Sequence, residues 1–147
     1  MSPKLLKLVL NLYPPYWGTG IFVSRVSADY KEIIVYMKMR WYNRNYVNTH
    51  FGGSLYAMTD PFFMVMLIQV LGKKYIVWDK AVHIDFIKPG RGKVTARFII
   101  KEEQIDNILE KTADGQKYLP EFLVDIKDEA GDTVARVTKK LYIRKKP

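Results

Sequence analysis

An apolar run of helix length, from Gly53 to Leu71, constrains this chain more than any other segment. It opens Phe51-Gly52-Gly53, reads SLYAMTDPFFMVMLIQVL and stops at Gly72, a natural helix end. A helix apolar around most of its circumference is enclosed by other structure rather than laid on a surface. The run has roughly the length of a membrane span. Ser54, Thr59, Asp60, Pro61 and Gln69 interrupt it, however, and strand-like segments follow, which predicts a buried core helix. Pro61 removes a donor and bends that helix.

Asp60 is the single carboxylate within this run. Burial in low dielectric disfavours a charged carboxyl group, so one placed there is paired or needed. Asn45 and His50 sit just upstream, where the chain enters the helix. Gly52 and Gly53 let a ligand approach the backbone, and the N–H groups of a helix start can hold developing negative charge. Together these residues predict a hydrolytic site for an acyl substrate.

The flanking segments alternate as strands do. Gly20 to Ala28 and Glu32 to Trp41 read as two strands joined at Asp29-Tyr30-Lys31, with Ile33, Val35, Met37, Met39 and Trp41 on one face. Tyr75 to Lys88 and Lys93 to Lys101 follow, joined by Pro89-Gly90-Arg91-Gly92. In the first of these, Ile76, Trp78, Val82, Ile84 and Phe86 alternate against Asp79, His83 and Asp85. A short exposed helix covers Glu102 to Ala113. Lys117 to Lys127 and Thr133 to Arg144 then flank a hairpin turn at 128–132. Lys4 to Leu10 predicts an amphipathic first helix, about residues 3–13, ended by Pro14-Pro15. It is lysine-interrupted and lacks a small-residue cleavage site, unlike a secretory signal. The expected class is α+β: one domain over 1–147, with about six antiparallel strands around one enclosed helix.

Composition narrows the chemistry. Apolar residues make up 48% and aromatics 14%, which excludes a disordered chain. The absence of cysteine removes thiol nucleophiles, disulfides and Cys-based zinc sites, and is compatible with a cytoplasmic protein. Two histidines without a spaced third ligand make a poor metal site, so no metal and no resident cofactor are expected. The net charge of +9 admits an anionic partner. Between Ile33 and Lys101 the only acids are Asp60, Asp79 and Asp85, whereas ten of the fifteen crowd into Glu102 to Asp132.

One antiparallel sheet curled around a long central helix is the hotdog fold. The residues resemble its thioesterases, particularly the PaaI-like families and a related uncharacterised thioesterase-like group. That pattern is an Asn, then His-Gly-Gly about six residues on, then an acid two turns into the helix. Asn45 stands six residues before Phe51-Gly52-Gly53, and Asp60 nine after Phe51. The similarity continues through Tyr75 to Pro89 and covers about residues 20–144. It departs where Phe51 replaces the histidine, with His50 displaced by one position.

The resemblance implies an acyl-CoA or acyl-carrier thioesterase, with coenzyme A entering only as part of the substrate. It implies a homodimer, with a tetramer of dimers left open, in which Asp60 acts as base or nucleophile across the interface. The rival for Asp60 is a buried Asp held by Thr or backbone donors beside Pro61. Asn45, or Asn43 after a one-residue shift, would position the water or the thioester carbonyl; its rival is a turn residue. Gly53, with Gly52, would supply an oxyanion-stabilising N–H, a contribution of roughly 3 kcal/mol in other enzymes. Asp79 is either a second polar group near the scissile bond or an ion-paired residue beside Lys80. His50 is a candidate base or a loop hydrogen-bonding residue. Phe51 and Gly52 would contact the substrate, and Lys88, Arg91, Lys93 and Arg97 would hold phosphates or merely solvate a face. Three other functions compete: an enoyl-thioester dehydratase using His50 with Asp60, a non-catalytic acyl-CoA-binding protein, and a nucleic-acid binder suggested by charge alone. The last lacks basic residues interleaved with exposed aromatics in the sequence pattern, so no nucleic-acid partner and no membrane span are expected.

Overall fold

The computed structural model describes all 147 residues, with five helices and six strands. Helix α1 (Pro3–Asn11) starts where the Ser2 hydroxyl accepts the Leu5 N–H at 3.2 Å. The two prolines expected to end it instead open a second helix, α2 (Pro14–Thr19), because proline suits a first helical turn. Gly20, at φ 74°, closes α2 in the left-handed region that glycine adopts freely.

Strands β1 (Ile21–Val26) and β2 (Glu32–Lys38) pair antiparallel. Ile33, Val35 and Met37 are fully buried, as alternation predicts. Trp41 is not: the strand ends at Lys38, and Trp41 is exposed in the loop that follows. Within that loop Asn43 is a structural staple. Its carboxamide accepts from the Arg40 N–H at 2.7 Å and donates to the carbonyls of Thr19 and Lys38 at 2.9 and 2.8 Å.

The central helix spans 52–71 in two pieces, α3 (Gly52–Ala57) and α4 (Phe62–Leu71). The bend expected at Pro61 is a full interruption, since proline cannot supply the helical N–H. This is the one segment long and apolar enough to cross a membrane. Here it packs on the sheet, with Leu55, Met58, Phe62, Phe63, Met66 and Leu67 buried. Phe63 meets the rings of Phe98 and Phe122, each with centroids 5.1 Å away. Truncating such a ring to alanine costs about 3–5 kcal/mol.

The remaining elements are β3 (Tyr75–Phe86), β4 (Lys93–Ile99), α5 (Glu102–Lys111), β5 (Glu121–Lys127) and β6 (Thr133–Lys145). The sheet order is β1-β2-β4-β5-β6-β3, antiparallel throughout. β3 and β4, consecutive in sequence, are therefore not a hairpin; β3 crosses to the far edge and pairs with β6. A bulge between Asp79 and Ala81 divides β3. Tyr75 and Val77 pack on the core before it and Ile84 after it. The single apolar face expected from Ile76 to Phe86 is thereby broken, and Trp78, Val82 and Phe86 are exposed.

Candidate functional site

Asp60 lies in the interruption between α3 and α4, where no helical ladder confines it. Thr59, fully buried, donates its hydroxyl back to the Tyr56 carbonyl at 2.7 Å and fixes the turn. The Tyr16 hydroxyl donates to the backbone carbonyl of Asp60, tying α2 to the same point. Burial first, then the charge of Asp60, push the Tyr16 phenol far above its ordinary value, so it remains a neutral donor.

The Asp60 carboxylate meets a partner that sequence reasoning did not single out. Lys139 on β6 brings Nζ to 3.1 Å from Asp60 Oδ1 and 3.3 Å from Asp79 Oδ2. Its side chain is 1% exposed, against 42% for Asp60 and 23% for Asp79. Nζ also stands 5.3 Å from the centre of the Tyr56 ring, a cation–π distance. Asp79 thus meets Lys139 across the sheet rather than its neighbour Lys80, because it shares the inward face of Tyr75 and Val77 ahead of the bulge. The signal for Lys139 was present in the alternation of β6: Val137, Lys139, Leu141 and Ile143 share the buried face.

The electrostatics follow from burial and proximity. Desolvation pulls the Lys139 ammonium down, but Asp79 and Asp60 outweigh it and hold it above the usual lysine value. Burial, then the adjoining Asp60 carboxyl, push Asp79 above the ordinary carboxylate range, against the opposing pull of Lys139. Asp79 Oδ1 is buried with no hydrogen-bond partner.

Asp60 opens onto a cavity of about 340 Å³ whose walls include Val9, Leu10, Tyr13, Tyr16 and Tyr56. Apolar walls with one anchored carboxylate suit a group that is mostly hydrocarbon and reacts at one end. A second, more open cavity of about 630 Å³ holds most of the other expected residues: Asn45, His50, Gly52, Lys88 and Arg91. Helix α3 contributes Leu55 to this one and Tyr56 and Ala57 to the first. One chain therefore does not bring Asn45 and His50 into the cavity that holds Asp60.

In the second cavity the groups are largely occupied. Asn45 Oδ1 accepts the N–H groups of Val47 and Thr49 at 3.1 and 3.0 Å, and Nδ2 donates to the Thr49 hydroxyl at 2.9 Å. His50 is buried, with Nε2 2.7 Å from the Gly92 carbonyl and Nδ1 unpartnered. Burial pushes its imidazole below the ordinary value, which favours the neutral ring. Gly52 and Gly53 open α3, whose first N–H groups have no partner inside the helix. A Cβ on Gly53 would fall 2.7 Å from the exposed Phe51 ring, and one on Gly52 3.1 Å from Phe86.

Of the expected phosphate-binding cations, Lys88 is paired to Asp128 and Asp132 at 2.9 and 2.8 Å. Lys93 places Nζ 4.6 Å from the Tyr36 ring centre, and Arg97 is paired to Glu32. Arg91 lines the cavity without a carboxylate partner. No three His, Asp or Glu side chains converge as a metal site.

An antiparallel sheet wrapped on a segmented central helix, with a carboxylate where the helix breaks, defines a hotdog-fold protein. The chain belongs to the family described as a domain of unknown function, DUF4442, whose pattern matches residues 3–143. No curated protein matches the sequence. Among solved structures it is similar to a Pseudomonas aeruginosa protein of unknown function described as a probable thioesterase. That pair has a TM-score of 0.85 at 14% identity, covering 99% of this chain and 97% of the other. A thioesterase from Haemophilus influenzae aligns with a TM-score of 0.73 at 16% identity, covering 99% and 92%. The E. coli PaaI protein from the phenylacetic acid degradation operon aligns at 0.64 and 15%, covering 96% and 91%. These likenesses establish the hotdog fold.

Proposed function

We propose that the protein is a thioesterase hydrolysing an acyl-CoA or acyl-carrier thioester, with Asp60 as general base or nucleophile. The observation that carries this reading is the Asp60 carboxylate, anchored on one side by buried Lys139 and open on the other to an apolar cavity. A carboxylate held in that way can deprotonate water or attack the acyl carbon. The thioesterase names of the similar structures support the same reaction class.

The working unit in this proposal is a homodimer joined through β3. That strand ends the sheet, runs twelve residues and exposes Trp78, Val82 and Phe86. A long edge with unpaired N–H and C=O groups is a template for pairing with a second copy. Such a pairing would let the cavity of one protomer, with Asn45, Gly52, Gly53 and Arg91, face Asp60 of its partner. Arg91 is then the cation best placed for a coenzyme A phosphate.

One observation favours a second reading, a non-catalytic acyl-binding protein: Phe51 stands where the PaaI-like pattern has histidine, and His50 turns inward to Gly92. The same inward bond counts against a dehydratase that needs His50 as base. A panel of acyl-CoAs from two to sixteen carbons, run on the wild type and on Asp60→Asn, decides among them. Turnover lost in the variant supports the proposal. Tight binding without turnover in the wild type selects the binding module, and enoyl-thioester hydration lost in His50→Ala selects the dehydratase.

A further inference from the structure

Lysine is rarely found wholly inside a protein, because its ammonium loses water that must be replaced by partners. Lys139 sits on the inward face of β6 among Val137, Leu141 and Ile143, and its side chain is 1% exposed. The groups facing it are Asp60 after α3, Asp79 on β3 and Tyr56 on α3, with Tyr16 on α2 bonded to the Asp60 carbonyl. Its register partners Val82 on β3 and Phe122 on β5 are apolar. One buried cation thus serves two carboxylates of unequal exposure, 42% for Asp60 and 23% for Asp79.

Resting on the thioesterase reading, we propose that Lys139 is the positioning residue of this site. It clamps Asp60 and Asp79 into one coupled unit in which Asp79 stores a proton and Asp60 faces the substrate. A cation between two ionised carboxylates leaves one uncompensated negative charge in a half-buried place. A single proton on the pair brings the cluster to neutrality, and the more enclosed Asp79 is the better site for it. Its raised carboxyl value agrees with that assignment.

The resulting chemistry balances without any further reactant. Water forms the new C–O bond to the acyl carbon while one of its protons passes to Asp60. The tetrahedral intermediate then collapses, the C–S bond breaks with its electron pair on sulfur, and Asp60 returns that proton to the thiolate. Lys139 and Asp79 neither gain nor lose a proton overall. Lys139 fixes the direction of the Asp60 oxygens and the pH at which the pair becomes active.

The test is the pH profile of kcat/KM together with carboxyl 13C NMR titrations of Asp60 and Asp79. Lys139→Met keeps the apolar stem and removes the charge. It is expected to move the acid limb up by at least one pH unit, with more than tenfold loss below the limb and partial recovery above it. Lys139→Arg restores the limb, and in Lys139→Met the Asp79 carboxyl titrates at still higher pH, because the cation that opposed its proton is gone. Equal loss at every pH in folded Lys139→Met, or an Asp79 titration that does not move in that variant, would overturn the proposal. Should Lys139→Met not fold, Asp60→Asn carries the test: the Asp79 carboxyl titration moves down if the two carboxyls are coupled and stays if they are not. Turnover that survives Asp60→Asn defeats the thioesterase mechanism, yet the NMR titrations still report whether Lys139 couples the two carboxyls.

Discussion

The two cavities beside α3 solve opposite problems with similar materials. The smaller one, at Asp60, gathers one cation and two carboxylates at a break in the central helix. The larger one, at His50, holds a neutral imidazole bonded to a carbonyl and an asparagine consumed by its own turn. Charge that is buried and shared marks a place where protonation can be controlled, whereas satisfied neutral groups mark a place shaped for contact. The family spacing drew attention to both, but only the first carries reactive electrostatics within one chain.

The largest effect that would sharpen this contrast is on catalysis. Asp60→Asn should lower thioester hydrolysis about 10³-fold in steady-state assays while circular dichroism stays native. Unchanged rates would move the chemistry to the other cavity.

Removing the shared cation comes next. Lys139→Ala should destabilise the fold by about 2 kcal/mol in urea unfolding, less than for a fully enclosed pair because Asp60 remains partly solvated. The exposed Lys88 pairs with Asp128 and Asp132 provide the control, and Lys88→Ala should leave the unfolding midpoint nearly unmoved.

In the other cavity, Asn45→Ala removes the acceptor of two backbone N–H groups and should cost about 1 kcal/mol of stability. A hundredfold loss of turnover at unchanged fold would show that Asn45 positions the substrate as well as its turn.

Two pH responses of opposite sign complete the comparison. Asp79 binds its proton more tightly folded than unfolded, so its contribution is present below the ordinary 3.8 and is lost as pH rises through its folded value. Asp79→Asn should therefore flatten the decline in unfolding free energy above pH 4, measured against the wild type. The His50 imidazole is depressed, so its contribution is present above the ordinary 6.5 and is lost as pH falls towards the folded value. Replacing His50 by glutamine should remove that acid-side loss, a smaller change than any above.

Much of this protein was legible in its residues. Alternation located five of the six strands near their observed limits and gave the inward face of β2. The apolar run over 53–71, with its lone carboxylate and Pro61, identified the core helix and where it fails. These features are local, set by side-chain period and by a proline's missing donor, so a sequence states them directly.

What lay beyond it was long-range. The bulge at Lys80 moved the inward face of β3 from the side of Tyr75, Val77 and Asp79 to that of Ile84, and the crossover of β3 to the far edge set that strand beside β6. That crossover brought Asp79 and Lys139 together across sixty residues of chain, with Asp60 a further turn away on the helix break. The alternation of β6 holds the signal for an inward-facing Lys139, but not which acids neutralise it. Sequence fixes which way a side chain points from its own strand; only the packed sheet decides what charge waits opposite, because that choice is made by burial and pairing among elements remote in the chain.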